Sequence, residues 1–273
     1  MKTILLLWLS FFSFSLFAPS SSPPIAWQEI DKGLFFASYL APQTSSHGDS
    51  KFSILRIDPK QYELKLYSAK QPGETTRTAA QWAEAKGLLA VINAGMYQGD
   101  FATNVGYMKI GDFINNPRLN QDNCIAAFGA KNESLPPFQI IDRRCQDWDA
   151  MKNQYQSFTQ SIRMVDCRQI NRWSQQPRKW SMVVLGRDQD GNALFIFTRS
   201  PYPVHDFIDM LLAAPLDLYN LMYLEGGPEA SFYLNHQGFS VSQMGSYETG
   251  FNEDDNNREF WPIPNVIGVV KRE

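Results

Sequence analysis

Cysteine and histidine are scarce in this chain of 273 residues, with three of each. Cys124, Cys145 and Cys167 show no Cys-x-x-Cys spacing, and His47, His205 and His236 are far from them along the chain, so no metal-ligand set is expected. A multi-disulfide framework is excluded too, because three cysteines allow one bridge and leave one thiol. Cys145 and Cys167 flank a polar, helix-like segment and are the expected pair. Blocks of basic charge are also missing. With 25 Lys and Arg against 28 Asp and Glu, a formal charge of −3 leaves no electrostatic footprint for nucleic acid or an anionic membrane surface. No repeat or low-complexity tract follows residue 24, and no later apolar run is long enough to span a bilayer. Nothing in the pattern demands a cofactor.

The one long apolar run opens the chain. Met1-Lys2-Thr3 is followed by Ile4 to Phe17, almost entirely apolar, and then by Ala18-Pro19-Ser20-Ser21-Ser22-Pro23-Pro24. An early cation, a short apolar core and a small-residue region fit a secretory leader, cleaved between Ala18 and Ala26, and an uncleaved N-terminal anchor is the alternative for the same residues. Residues 1–22 are therefore read as a signal peptide, 23–50 as an N-terminal linker, and 51–273 as one domain placed in the periplasm or outside the cell. About 250 residues are enough for a single sizeable core.

The mature sequence reads as α/β (α+β), a mixed β-sheet core with hairpins and flanking helices. Phe52 to Asp58 and Tyr62 to Tyr67 approach period-two alternation around the turn Asp58-Pro59-Lys60-Gln61, which predicts a hairpin. Thr75 or Thr76 is placed to cap a helix through Ala79, Ala80, Trp82 and Ala83 that stops at Gly87. Leu88 to Ile92 follows as an apolar strand. Trp180 to Gly186 and Ala193 to Thr198 predict a second hairpin, and Asp206 opens a helix with Phe207, Ile208, Leu211 and Leu212 on one face. Ala230 to Leu234 with Gly238 to Val241 predicts a third hairpin, and Val266 to Val270 a closing strand in its sheet. Ala41 to Ser50 and Thr249 to Arg258 are polar enough for surface loops.

Four segments carry candidate chemistry. Tyr219 to Leu224 is an apolar strand ending abruptly in Glu225-Gly226-Gly227-Pro228-Glu229, so a rigid element delivers a carboxylate to a glycine turn. A strand followed by two solvated acids fits the same residues. Ala90 to Tyr97 repeats the arrangement with Asn93, whose amide can orient a sugar hydroxyl or satisfy local backbone. Gln160 to Asp166 and Pro177-Arg178 each place an arginine beside strand residues. Arg163 and Arg178 can fork onto phosphate, or lie with their stems along a sheet edge. Aromatics at 14% suit a dense core and sugar-binding surfaces alike.

Taken in order, Asn93-Ala94-Gly95-Met96-Tyr97, Gln160 to Asp166, Pro177-Arg178 leading to Asp190-Gly191, and Leu224-Glu225-Gly226-Gly227 resemble the phosphodiester glycosidase family over about residues 50 to 271. The likeness is altered at two motifs. An Asn-Gly-Gly turn with two aromatics has become Asn93-Ala94-Gly95-Met96-Tyr97, and an Asp-Gly-Gly-Gly-Ser loop has become Glu225-Gly226-Gly227-Pro228-Glu229. The resemblance implies hydrolysis of a sugar-1-phosphodiester at its anomeric carbon. It implies Glu225 as one catalytic carboxyl, with Glu229 or Asp166 as the second. Arg178 and Arg163 would hold phosphate, Asn93 a hydroxyl or acetamido group, and Gly226 and Gly227 would let substrate approach the backbone. The implied partner is a glycan or sugar-phosphodiester. The altered loop leaves a second class open, a binding protein of the same fold that no longer cleaves.

Overall fold

A computed structural model describes residues 24–272. The leader assigned to residues 1–22 lies outside them. Among the described residues, no helix is long and apolar enough to cross a membrane.

Three antiparallel sheets enclose one core. The first runs β1 (Gln28–Asp31), β2 (Leu34–Leu40), β3 (Lys51–Ile57), β13 (Ala193–Tyr202), β12 (Trp180–Asp188), β14 (Leu218–Gly226), β11 (Arg163–Val165). The second runs β16 (Phe239–Met244), β15 (Ser231–His236), β5 (Ala90–Asn93), β17 (Asn265–Lys271), β4 (Tyr62–Ser68). The third runs β7 (Phe113–Asn116), β6 (Met108–Ile110), β10 (Tyr155–Ser161), β8 (Cys124–Ala130), β9 (Phe138–Asp142). Leu55, Phe195, Val183 and Met222 from the first sheet meet Tyr62, Leu64, Ile92 and Phe232 from the second and Met108, Ala126, Phe128 and Ile140 from the third. Each sheet turns an apolar face inward, and the three bury those faces against one another.

Each outer sheet face is covered in turn by a helix. The α3 helix (Val204–Ala213) lays Val204, Phe207, Ile208 and Leu211 on Met182, Val184 and Ile196 of the first sheet. The α1 helix (Ala79–Lys86) sets Trp82 and Ala83 on Val91 and Val266 of the second, and the Trp82 indole donates to the Ile263 carbonyl at 2.9 Å. The single-turn α2 helix (Trp148–Met151) rests Trp148 on the third. The central strands β5, β8, β12 and β13 are therefore buried on both faces for most of their length.

This arrangement corrects the α/β expectation: the molecule is mainly β. Strands buried on both faces read as unbroken apolar runs, the pattern also given by a parallel sheet between helices. Here every ladder is antiparallel.

Residues 23–50 supply β1 and β2, which pair through β3 into the first sheet. The hairpin expected from Phe52 to Tyr67 is absent. Its two strands form as β3 and β4 but go to different sheets, β3 beside β13 and β4 beside β17, and face each other across the core through Leu55, Ile57, Leu64 and Leu66. Local alternation specifies which face is buried, and both pairings satisfy it. The α1 cap is Thr78 rather than Thr75 or Thr76: Thr78 and Gln81 form a reciprocal capping box, and Gly87 closes the helix at φ 62°. The hairpins β12–β13 and β15–β16 form as expected, and β17 joins the sheet of β15.

Candidate active site

The apolar strand β14 ends at Glu225 and Gly226, and Gly227–Glu229 continues as one 3-10 turn. Opposite this end, the β12 register skips Leu224: Val184 pairs with Tyr223 and Val183 with Glu225. A bulge of this kind turns the strand locally and re-aims the next side chain. Glu225 keeps a contact with its own turn, accepting from the Gly226 amide at 3.2 Å.

The glycines are fixed by their neighbours. A methyl group on Gly226 would overlap the Tyr223 hydroxyl and come within 3.2 Å of the Trp180 ring. Gly227 has φ 67°, and a methyl group there would lie 2.5 Å from Glu248 Oε2 and 3.4 Å from Glu229 Oε2. Three glutamates thus gather around one glycine pair.

Glu248 arrives on a strap. Residues 245–258 cross the end of β12, where the Ser181 hydroxyl accepts from the Ser246 and Tyr247 amides at 3.0 and 3.1 Å. The Lys179 amide donates to Thr249 Oγ1 at 2.9 Å. Arg199 fastens the far side, donating to the Met244 and Asn257 carbonyls at 2.7 and 2.8 Å and pairing with Asp255 at 2.7 Å.

The electrostatics follow from crowding. Burial pushes the Glu225 carboxyl up to about 8; the Gly226 amide opposes this, and Glu229 and Glu248 add to it. Burial also raises Glu229, against a hydrogen bond from its own backbone and with Glu248 adding to the rise. Tyr223 is pushed up by burial and then by Glu225, Glu248 and Glu229, and Tyr97 by burial and then by Glu229 and Glu225. At neutral pH the site therefore offers a neutral carboxylic acid and two phenols as proton or hydrogen-bond donors. Among the described residues, the hydroxyls of Tyr97 and Tyr223 have no hydrogen-bond partner.

Of the residues singled out in the sequence, Glu225, Glu229, Gly226 and Gly227 come together here. Asn93 joins them in another capacity. Its Nδ2 donates to the Glu229 carbonyl at 3.0 Å and its Oδ1 accepts from the Ser231 amide at 2.8 Å, so the side chain latches the glutamate turn to β5. Arg178 is exposed two residues before Trp180, and no partner holds it among the described residues.

Two expected residues are committed elsewhere. Asp166 is buried; although burial opposes ionisation, the Ile170 amide, Arg172 and the Arg168 amide outweigh it and hold the carboxyl below its ordinary value. It organises a turn and pairs with Arg172 at 2.5 Å. Arg163 donates from Nη1 to both oxygens of buried Asp142, at 3.0 and 3.1 Å, so its charge is paired with that carboxylate. Asp142 also accepts from the Cys167 amide, beside the Cys145–Cys167 disulfide. Asp142, Cys145 and Cys167 are close enough to suggest a metal, but a disulfide leaves no thiolate to bind one. The third cysteine, Cys124, is buried in the core.

Tyr97, Tyr223 and Glu248 were not picked out as site residues from the sequence. Tyr223 reads there as one more aromatic of a buried strand. Glu248 sits beside a polar stretch with no local signal, and partners remote in sequence, Lys179, Trp180, Ser181 and Arg199, place it.

A profile of the phosphodiester glycosidase family matches residues 86–270, most of the described chain and all three glutamates. The chain belongs to the phosphodiester glycosidase family. Among curated proteins, none matches the sequence. Among solved structures, the catalytic domain of zebrafish N-acetylglucosamine-1-phosphodiester alpha-N-acetylglucosaminidase, auto-inhibited by its pro-peptide, superposes with a TM-score of 0.59 at 13% identity, covering 93% of this chain and 85% of that one. A hypothetical protein from Synechocystis gives 0.59 at 13% identity, covering 93% of this chain and 65% of its own. A putative exported protein from Burkholderia pseudomallei gives 0.51 at 8% identity, covering 88% and 76%. At these identities the superpositions establish a shared fold. Family membership supports hydrolase chemistry of the phosphodiester glycosidase type in general.

Proposed function

We propose that this protein hydrolyses a sugar-1-phosphodiester, of the N-acetylglucosamine-1-phosphodiester kind, in a glycan of the cell envelope or the extracellular space. The observation that carries the reading is the convergence of Glu225, Glu229 and Glu248 on the Gly226-Gly227 turn, with Glu225 holding its proton at neutral pH. The location rests on the leader sequence at residues 1–22.

The chemistry asks for two things. Bond cleavage at the anomeric carbon builds positive charge on the sugar ring and negative charge on the departing phosphate oxygen. A neutral Glu225 meets the second need, because it can approach a phosphate without charge repulsion and share its proton with the leaving oxygen. Glu229 and Glu248, whose carboxylates both lie beside Gly227, supply a base for water on the sugar side. The phenols of Tyr97 and Tyr223 remain donors throughout the physiological range. Asn93 acts through the turn it latches, as a positioning residue. Arg178, exposed near Trp180, is the cation available to a phosphate entering from solvent.

The test is release of free sugar from N-acetylglucosamine-1-phosphodiester substrates with leaving groups of different size. The unaltered protein should turn them over, and Glu225→Gln should lower kcat at least a hundredfold with little change in KM. If the unaltered protein releases no sugar from any of them yet binds them, the reading fails in favour of a non-catalytic glycan-binding protein of this fold.

A further inference from the structure

We propose that the arginine-lined cavity bounded by Asn120, Gln121, Asn123, Arg143 and Arg144 is a second anion subsite, which binds a phosphate of an extended anionic chain while another stretch of that chain occupies the glutamate site. This rests on the hydrolase reading and extends it by naming the substrate as a phosphate-bearing polymer.

The cavity has a volume of about 510 Å³, and its lining of two arginines and three carboxamides contains no carboxylate. Arg143 is fixed there: its Nη1 donates to the carbonyls of Asn120 and Asp122 at 2.7 and 3.4 Å, which presents a planar fork at low entropic cost. The Arg144 guanidinium is exposed and has no hydrogen bond or ion pair among the described residues. The Cys145–Cys167 disulfide, with Cα atoms 6.5 Å apart, brings Arg168 alongside, and its guanidinium is free in the same sense.

The acids of this region are already engaged. Asp142 is paired with Arg163, and Asp166 with Arg172. Asp122 accepts from Asn120 Nδ2 at 2.7 Å, and Asp147 turns its carboxylate to the start of α2. Among the described residues, Arg143, Arg144 and Arg168 are in no ion pair and outnumber the unpaired carboxylates of Asp122 and Asp147, a local positive excess on a molecule whose formal charge is −3.

Gln160 ties the cavity to the glutamates. Its carboxamide accepts from the Asn120 amide at 3.1 Å and donates to the Asn120 carbonyl at 3.1 Å, which fixes the cavity wall. Two residues later, the Ile162 carbonyl accepts from the Tyr223 amide at 3.0 Å. Two extended residues span at most about 7 Å, so wall and site are attached to one short piece of backbone. A single small phosphodiester filling the glutamate site has no use for a separate arginine fork. A chain of phosphodiester-linked units does.

Binding of a fluorescent glycerol-phosphate oligomer of about ten units, followed by anisotropy, separates the possibilities. Arg144→Glu and Arg168→Glu should each raise Kd about tenfold, the scale of a lost charge-assisted fork. Lys32→Glu, the same charge change on the β1–β2 turn at the opposite edge of the first sheet from β11, should change Kd less than twofold. Equal weakening in all three overturns the proposal, because it would report only the net charge of the molecule. Competition by inorganic phosphate at the same phosphate concentration as the oligomer also overturns it, in favour of a free-phosphate pocket. Sugar release is not part of the readout. Loss of the hydrolase reading and loss of this one are therefore seen in different measurements.

Discussion

A half-buried glutamate that keeps its proton near neutrality stores a cost that pH reveals. Folded Glu225 has its carboxyl at about 8 against an ordinary 4.5, so it binds a proton that the unfolded chain has already released. Stability from this residue therefore falls as pH rises from about 4.5, and the full penalty is in place above about 8. Glu225→Gln removes the penalty, and its Tm should exceed that of the unaltered protein by about 3 °C or more at pH 8.5, with the difference closing at pH 4. The kcat of the unaltered protein should decline above pH 8 as the same proton is lost. A Tm difference independent of pH would mean that Glu225 titrates normally. Asn93→Asp tests the latch: the retained Oδ1 still accepts from the Ser231 amide, but the new oxygen in place of Nδ2 confronts the Glu229 carbonyl, and the loss should be about 1–3 kcal/mol with a fall in kcat at unchanged KM. Glu225 was legible in the sequence because a strand that stops at Gly-Gly announces a fixed carboxylate. Asn93 was legible as a residue but not in its role, since an amide's partners are set by what the fold brings opposite it.

Elements were legible where their signals are local. The turn Asp188 to Asn192 closes β12–β13 as read, with Asp188 accepting from the Asn192 amide and side chain, both at 2.8 Å. The α1 helix carries its own stop at Gly87, and Thr78→Ala should cost about 1 kcal/mol in urea unfolding by opening the capping box. What failed was pairing. Neither β3 nor β4 contains anything that distinguishes a hairpin partner from a strand across the core, and Glu248 depends on Ser181 and Arg199 binding a strap from far along the chain. The disulfide closes a sequence separation of 22, so the double variant Cys145→Ser, Cys167→Ser should lose about 3 kcal/mol by chemical denaturation. A much smaller loss would mean that the ion pair of Arg163 with Asp142 holds that corner by itself.

At the scale of the whole molecule, the core is built from three sheets whose strands come from distant parts of the sequence. The first sheet joins residues 28–57 to 163–226, and the second joins 62–93 to 231–271. A topology this non-local was not readable from alternation, which reports burial and is silent on neighbours. It also has a temporal consequence. Both β4 and β5 take β17 as a neighbour, so the second sheet has a gap at its centre until Asn265–Lys271 is present. A polypeptide emerging residue by residue carries that gap until β17 is released, about 170 residues after β5, and the second sheet cannot close before then.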